Sequence, residues 1–192
     1  MLIPGLDFAV VLRYSATQSR KNAFLVSLGI TAGLYVWGFA AVLGIAAILQ
    51  ASAEAFNVLR IVGALYLFWM GSRFIVASLK KNTDVIEVSL DPKQRPFMRG
   101  FLSNLLNPKP AVFYMSIFPQ FIPADSNHAL VGTILVTIHA TETMLFFTAM
   151  ILFIGTLKPF FSNPKVVRYL ERMSGFAIVG FGAKLLMEGT VQ

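Results

Sequence analysis

The sequence predicts an all-α integral membrane protein, a six-helix bundle built from two inverted three-helix repeats, with the first helix N-terminally truncated. Three observations lead there. The 192 residues are 56% hydrophobic and only 13% charged, about half the ~25% usual in water-soluble proteins, and the mean hydropathy is +0.70. Apolar runs long enough to cross a bilayer alternate with short basic clusters. Two apolar segments, one of them shorter than a span, are interrupted by proline at corresponding places.

A bilayer core about 30 Å thick needs roughly 20 apolar helical residues, with every amide satisfied inside the segment. Residues 1–12 are apolar except for Asp7 and contain Pro4-Gly5, but as a helix they reach only ~18 Å. They are therefore expected to be a truncated first helix. A signal peptide is not expected, because the first positive charge, Arg13, follows the apolar stretch instead of preceding it. Residues 24–49 carry no charge and form the second helix. Residues 61–79 form the third, with Arg73 near the end, where its long side chain can snorkel to the headgroups. Residues 101–122 form the fourth, broken by Asn107-Pro108-Lys109-Pro110. The fifth, 129–157, contains His139 and Glu142, and the sixth, 173–187, carries Lys184. The chain divides as one transmembrane domain, 1–192, with repeat one at 1–79, a cytoplasmic loop at 80–99 and repeat two at 100–192.

Several chemistries are excluded or disfavoured at once. There is no cysteine, which removes disulfides, thiolate metal sites and dithiol redox chemistry. The two histidines, His128 and His139, lack the His-Glu-x-x-His spacing of a zinc hydrolase. A phosphate-binding glycine loop and a nucleophile elbow are also missing. No catalytic residue, metal or cofactor is expected. The net charge of +7 does not mark a nucleic-acid binder, because the basic residues sit in clusters between apolar runs rather than in a groove-tracking patch. Twelve of the 16 Lys and Arg residues fall in three alternate loops, following the first, third and fifth helices. The positive-inside rule places those loops in the cytoplasm and both termini outside.

Three helices per half is an odd number, so a second copy enters from the opposite side, the inverted repeat of secondary transporters. Aligning 59–74 with 170–185 matches Gly71 with Gly182, so the repeat rests on the position of its breaks rather than on identity. Proline inside a helix frees carbonyls that lipid does not satisfy, and is tolerated where it lines a cavity. The following half-helix offers N–H groups and a positive dipole end to an anion. A simple proline kink is the bland alternative. Lys109 lies ten residues after Arg99 and twelve before Phe121, so it is expected ~15 Å from either face. A charge at that depth costs at least ~2.5 kcal/mol unless paired or wet. Asp7, three residues after Pro4, is its counterpart from the other half. The substrate-binding set is Pro4, Gly5, Asp7, Asn107, Pro108 and Lys109. Asp7 would take an ammonium, and Lys109 with the half-helix N-termini a carboxylate; alternatively the two side chains neutralise each other.

Glu142 lies deep in its helix, and His139 is one turn earlier on the same face. A buried carboxyl and an imidazole both exchange protons near neutral pH, so the pair is the candidate for proton coupling. Bonding of Glu142 to a neighbouring helix is the competing reading. Gly29, Gly33, Gly38 and Gly44, with Gly175, Gly180 and Gly182, are expected to let helices approach closely. Trp37 and Trp69 read as lipid- or core-facing bulk.

Several blocks of sequence resemble a known family. Pro4-Gly5-Leu6-Asp7, Arg13-Tyr14-Ser15, Ser27-Leu28-Gly29-Ile30-Thr31-Ala32-Gly33 and Gly63-Ala64-Leu65-Tyr66-Leu67 run in the order seen in the LysE/RhtB family. So do Gly100-Phe101-Leu102-Ser103-Asn104-Leu105-Leu106-Asn107-Pro108-Lys109 and Phe118-Pro119-Gln120-Phe121. The resemblance implies a six-helix inner-membrane exporter of amino acids or close derivatives, driven by the proton gradient or membrane potential. Two features depart from the family: Leu6 stands where a second proline is usual, and three residues precede the motif instead of about a dozen. The expected partners are a small-molecule substrate (an amino acid or derivative), protons and the lipid bilayer of a bacterial inner membrane, with no nucleic acid. A homo-oligomer is left open. The alternative to transport is a truncated, non-transporting family member with an interaction or structural role.

Overall fold

The computed structural model describes residues 6–79, 95–122, 126–161 and 163–187. Among these, every regular element is a helix: α1 (Leu6–Thr17), α2 (Arg20–Ala51), α3 (Ala53–Leu79), α4 (Pro96–Leu105), α5 (Pro108–Phe121), α6 (His128–Leu152), α7 (Ile154–Phe161) and α8 (Pro164–Met187). The all-helical class expected from composition is what forms. Ser19 starts α2 by accepting a hydrogen bond from the Asn22 amide, and Asn127 starts α6 by accepting one from Leu130, each satisfying an amide that has no partner inside its helix.

Among the described residues, three helices are long and apolar enough to cross a membrane: Arg20–Ile45 in α2, Ile61–Leu79 in α3, and His128–Leu152, which is α6. The other expected spans differ for separate reasons. Residues 101–122 fold as two pieces, α4 and α5, parted at Leu106 and Asn107. Helix α4 starts at Pro96, ahead of the expected run, where proline's missing amide costs nothing. The fifth run stops at Phe153, which leaves helical geometry at φ −104° and ψ 22°, and resumes as α7 around Pro159. Residues 173–187 are the later part of the longer α8, whose beginning carries Lys165, Arg168, Glu171 and Arg172 and is too polar to count as apolar span.

Two apolar clusters hold the bundle. One joins Val10, Val11 and Tyr14 of α1 to Val26 and Ile30 of α2 and to Phe147 and Met150 of α6. The other joins Leu34, Val42 and Ile45 of α2 to Tyr114 and Phe118 of α5 and Val136 of α6. Outside these clusters, large apolar side chains face outward, among them Leu43, Leu65, Leu145 and Phe176. In water such a surface would be a liability; in hydrocarbon it is the expected exterior.

The helix crossings are reciprocal. A methyl group on Gly38 would strike Val136, and one on Gly132 would strike Val42. In each helix the valine lies four residues after the glycine, so each knob fills the other's hole. The same exchange joins α3 to α8: Gly71 faces Val179 and the Gly175 carbonyl, while Gly175 faces Ile75 and the Gly71 carbonyl. Gly71 and Gly175 thus meet across this crossing. Of the glycines expected to mediate packing, Gly44 and Gly180 face open space.

Candidate functional site

The break between α4 and α5 follows from proline chemistry. The Asn104 carbonyl would normally receive the amide of residue 108, but proline has none. Two other donors replace it: the Asn107 amide at 3.2 Å and the Trp37 indole N–H at 3.3 Å. Trp37 is therefore a hydrogen-bonding prop for the break rather than simple bulk. At the start of α5, Asn107 accepts the Lys109 amide on its side-chain oxygen at 3.1 Å, while Pro108 and Pro110 carry no N–H. The amides of residues 107–110 are all accounted for without a ligand. The expectation that this half-helix offers N–H groups to a carboxylate is corrected: two were deleted by proline and two are bonded within the chain. Only the Lys109 ammonium remains as a strong anion-binding group there.

Asp7 sits in the first turn of α1, where the helix dipole favours a negative charge. It is 8% exposed and points into the α4–α5 break. Its Oδ2 accepts from Asn104 Nδ2 at 2.8 Å and from Asn107 Nδ2 at 3.5 Å, and its Oδ1 accepts from Ser103 Oγ at 3.2 Å. The first turn of α1 and the break of the second half therefore meet. Pro4 and Gly5, expected in the site, lie outside the described residues.

Lys109 faces the same space but is held differently. Its ammonium lies 5.0 Å from the centre of the Phe74 ring, a cation–π position, and makes no ion pair with Asp7. Asp7, Asn107, Lys109, His139 and Glu142 all line one cavity of about 480 Å³. The sequence-predicted residues are thus brought together, with Pro108 at the first position of α5. His139 shares a 2.9 Å hydrogen bond with the Tyr114 hydroxyl through Nδ1, and its ring packs 5.1 Å from that of Phe113. Glu142 lies midway along α6, but it is exposed at the cavity's open side rather than enclosed, with no hydrogen bond or ion pair among the described residues. It does not bond to a neighbouring helix. Most of the remaining wall is apolar, including Leu34, Leu67, Phe113 and Phe147.

Arg73 also departs from expectation. Its guanidinium folds back over Trp69, 5.1 Å from the ring centre and one turn inward, following the tilt of helical side chains toward the N-terminus. Sequence reasoning gave no role to Ser103, Asn104, Tyr114 or Phe74. The available signal was spacing: Ser103, Asn104 and Asn107 share one helical face just before a proline.

The family described as LysE type translocator matches residues 1–189. A threonine efflux protein of Salmonella typhi is 30% identical over 97% of this chain and 92% of its own length. The uncharacterized membrane protein YrhP of Bacillus subtilis is 30% identical over 96% of this chain and 91% of its own length. A leucine efflux protein of Enterobacter sp. is 29% identical over 96% and 89%. No solved structure matches. This is a membrane transport protein and not an enzyme, and the chain belongs to the LysE type translocator family.

Proposed function

We propose that this protein exports a neutral amino acid, or a close derivative, from the bacterial cytoplasm by alternating access of two inverted three-helix units. The observation that carries the reading is the 480 Å³ cavity holding Asp7, Asn107, Lys109, His139 and Glu142 on an otherwise apolar wall. A carboxylate and an ammonium on one small cavity fit the two charges of a zwitterion. Asp7 takes the substrate ammonium beside its three hydrogen-bond donors, and Lys109 takes the carboxylate. The apolar wall suits a side chain without charge, so leucine-like substrates are favoured over lysine. Similarity to threonine and leucine efflux proteins supports the same class.

Units α1–α3 and α4–α8 are read as inverted repeats related by a pseudo-twofold axis. The reciprocal contacts support this, because an exchange of glycine and β-branched side chain between equivalent helices is what such an axis produces. The axis makes α2 the counterpart of α6, and α3 the counterpart of α8. The two units rock about these contacts and expose the cavity alternately to each face. With basic loops inside, both termini face outward. His139, oriented by Tyr114, and the accessible Glu142 carry the proton.

The test is export from cells or vesicles loaded with labelled leucine, threonine, lysine and homoserine lactone, with and without a proton gradient. Gradient-stimulated release of the neutral amino acids is expected, with lysine at background. Release of none of the panel above background would overturn the reading and favour a structural role.

A further inference from the structure

The three donors on Asp7 are not equivalent. Its Oδ2 accepts from two amide N–H groups, those of Asn104 at 2.8 Å and Asn107 at 3.5 Å, while its Oδ1 accepts from a hydroxyl, Ser103 Oγ at 3.2 Å. An amide N–H only donates, whereas a hydroxyl donates or accepts as it turns. Neither amide gains by turning over. Asn107 is held in its orientation by the Lys109 amide, which donates to its side-chain oxygen. A half-turn of Asn104 would bring its carbonyl oxygen to Asp7 but put N–H groups against Gly33, which has no side chain to accept them. Of the three partners, only Ser103 suits a carboxylate and a carboxylic acid alike. Asp7 also has no cation bonded to it, since the Lys109 ammonium rests on the Phe74 ring. Adding a proton to Asp7 therefore breaks no ion pair, the step that is costly inside a protein. The titratable side chains that share its cavity are Lys109 on α5 and His139 and Glu142 on α6; among the described residues α2, α3 and α8 line it without one. Helix α4 faces Asp7 with Ser103 and Asn104, which do not titrate, and no described residue of α7, which touches α1, is in the lining.

We propose that the coupling proton binds at Asp7 Oδ1, in direct competition with the substrate ammonium, and that Ser103 is the positioning residue that admits either. The proposal rests on the export reading and gives the proton its place in that site. With Asp7 ionised, the Ser103 hydroxyl donates to Oδ1 and the substrate ammonium approaches the carboxylate from the cavity that Asp7 lines. When the substrate leaves, a proton forms a bond to Oδ1, the hydroxyl turns, and the new O–H donates to Ser103 Oγ. Asn104 and Asn107 go on donating to Oδ2 throughout. His139 and Glu142 deliver the proton but are not where it displaces the substrate. Because one carboxylate holds either ligand and never both, each outward passage of a zwitterion is followed by the inward passage of one proton. The zwitterion is neutral, so the exchange carries one positive charge inward per substrate.

Counterflow of labelled leucine in proteoliposomes, with the same pH on both sides, tests the competition. KM is expected to rise as the pH falls, approaching about tenfold per pH unit, with the maximal rate unchanged. His139→Gln and Glu142→Gln should each keep that slope; its loss in either variant would put the competing proton there and overturn the proposal. A wild-type KM that does not change with pH would also overturn it, with leucine exchange, and so the export reading, intact. A wild-type chain that exchanges no amino acid at any pH overturns the export reading, and the proposal with it. Infrared difference spectra of the purified protein between acid and neutral pH identify the residue. A protonated-carboxyl band that leucine suppresses is expected in wild type and in Glu54→Gln, at an exposed carboxylate in the first turn of α3. Asp7→Asn should lack that band, and Asp7→Glu, which keeps a carboxyl in the site, should displace it. Ser103→Ala should displace it by removing the acceptor, and Ser103→Thr, which restores a hydroxyl, should return it. A leucine-sensitive band that survives in Asp7→Asn, or that Ser103→Ala leaves in place, overturns the assignment.

Discussion

Asp7 and Lys109 face one cavity with opposite charges, yet the protein holds them in opposite ways. Asp7 is fixed by three side-chain donors from the neighbouring break. Lys109 has no hydrogen bond to its ammonium among the described residues and rests against an aromatic face. The anion is thus tied to the α4–α5 break, whereas the proposed reading leaves the cation for the substrate carboxylate. A direct Asp7–Lys109 ion pair would instead have to be broken for each substrate.

The largest effects should therefore fall on these two residues and separate in stability. Lys109→Ala should reduce export by at least about 100-fold with no loss of melting temperature, because it removes a charge that costs roughly 2.5–3.5 kcal/mol at mid-membrane depth. Asp7→Asn should also abolish export but lower the melting temperature. It replaces an acceptor of charge-assisted hydrogen bonds, worth about 1.5–3 kcal/mol, by an amide that turns donors toward donors. Thermal unfolding in detergent, run beside efflux assays, checks the contrast; equal melting shifts for both variants would erase it.

Next in size is coupling. Glu142→Gln leaves Asp7, Lys109 and the cavity in place, so downhill export should persist while accumulation against a gradient falls about tenfold. Measuring release with and without a protonophore decides this, and an unchanged response removes Glu142 from the proton path.

Smaller effects test how the anion is held. A methyl group on Gly33 would lie 2.6 Å from Asn104 Oδ1, so Gly33→Ala should displace the principal donor to Asp7 and cost about 1–3 kcal/mol. Gly44→Ala, in the same helix but facing open space, should be neutral or stabilising by up to ~1 kcal/mol. Smallest is Trp37→Phe, which removes one of two donors to the Asn104 carbonyl and should cost about 1 kcal/mol. Melting temperatures of the three variants give the ranking directly.

How much of this was legible in the sequence depends on which physical scale set each feature. The long uncharged run in α2 and the apolar α6 were readable because lipid forbids charge over a whole span. The gathering of Asp7, Asn107, Lys109, His139 and Glu142 was readable from depth, since residues at one level of a narrow bundle are near one another. The break in residues 101–122 announced itself through two prolines. What the sequence did not carry was register. Glycines on α3 and α8 were readable as close-approach sites, but which of them meet, Gly71 with Gly175, only the contact reveals. Asn104 and Trp37 were missed because an amide and an indole are ordinary helix residues until a missing proline N–H leaves a carbonyl for one and a buried carboxylate finds the other. The half-helix N-terminus was read as an anion site from its dipole alone, without counting which amides survive two prolines and an asparagine cap. The stop at Phe153 had no glycine or proline at the break itself to announce it.

The proposed site holds a zwitterion between the hydrogen-bonded Asp7 carboxylate and the Lys109 ammonium. Counterflow in proteoliposomes tests this most directly, since exchange of labelled for unlabelled leucine needs no driving force and reads the site without the coupling residues. Wild type and Glu142→Gln should exchange at similar rates, while Lys109→Ala and Asp7→Asn, inserted to the same extent, should show no exchange above empty liposomes. Wild-type exchange by either of the latter two would contradict the account.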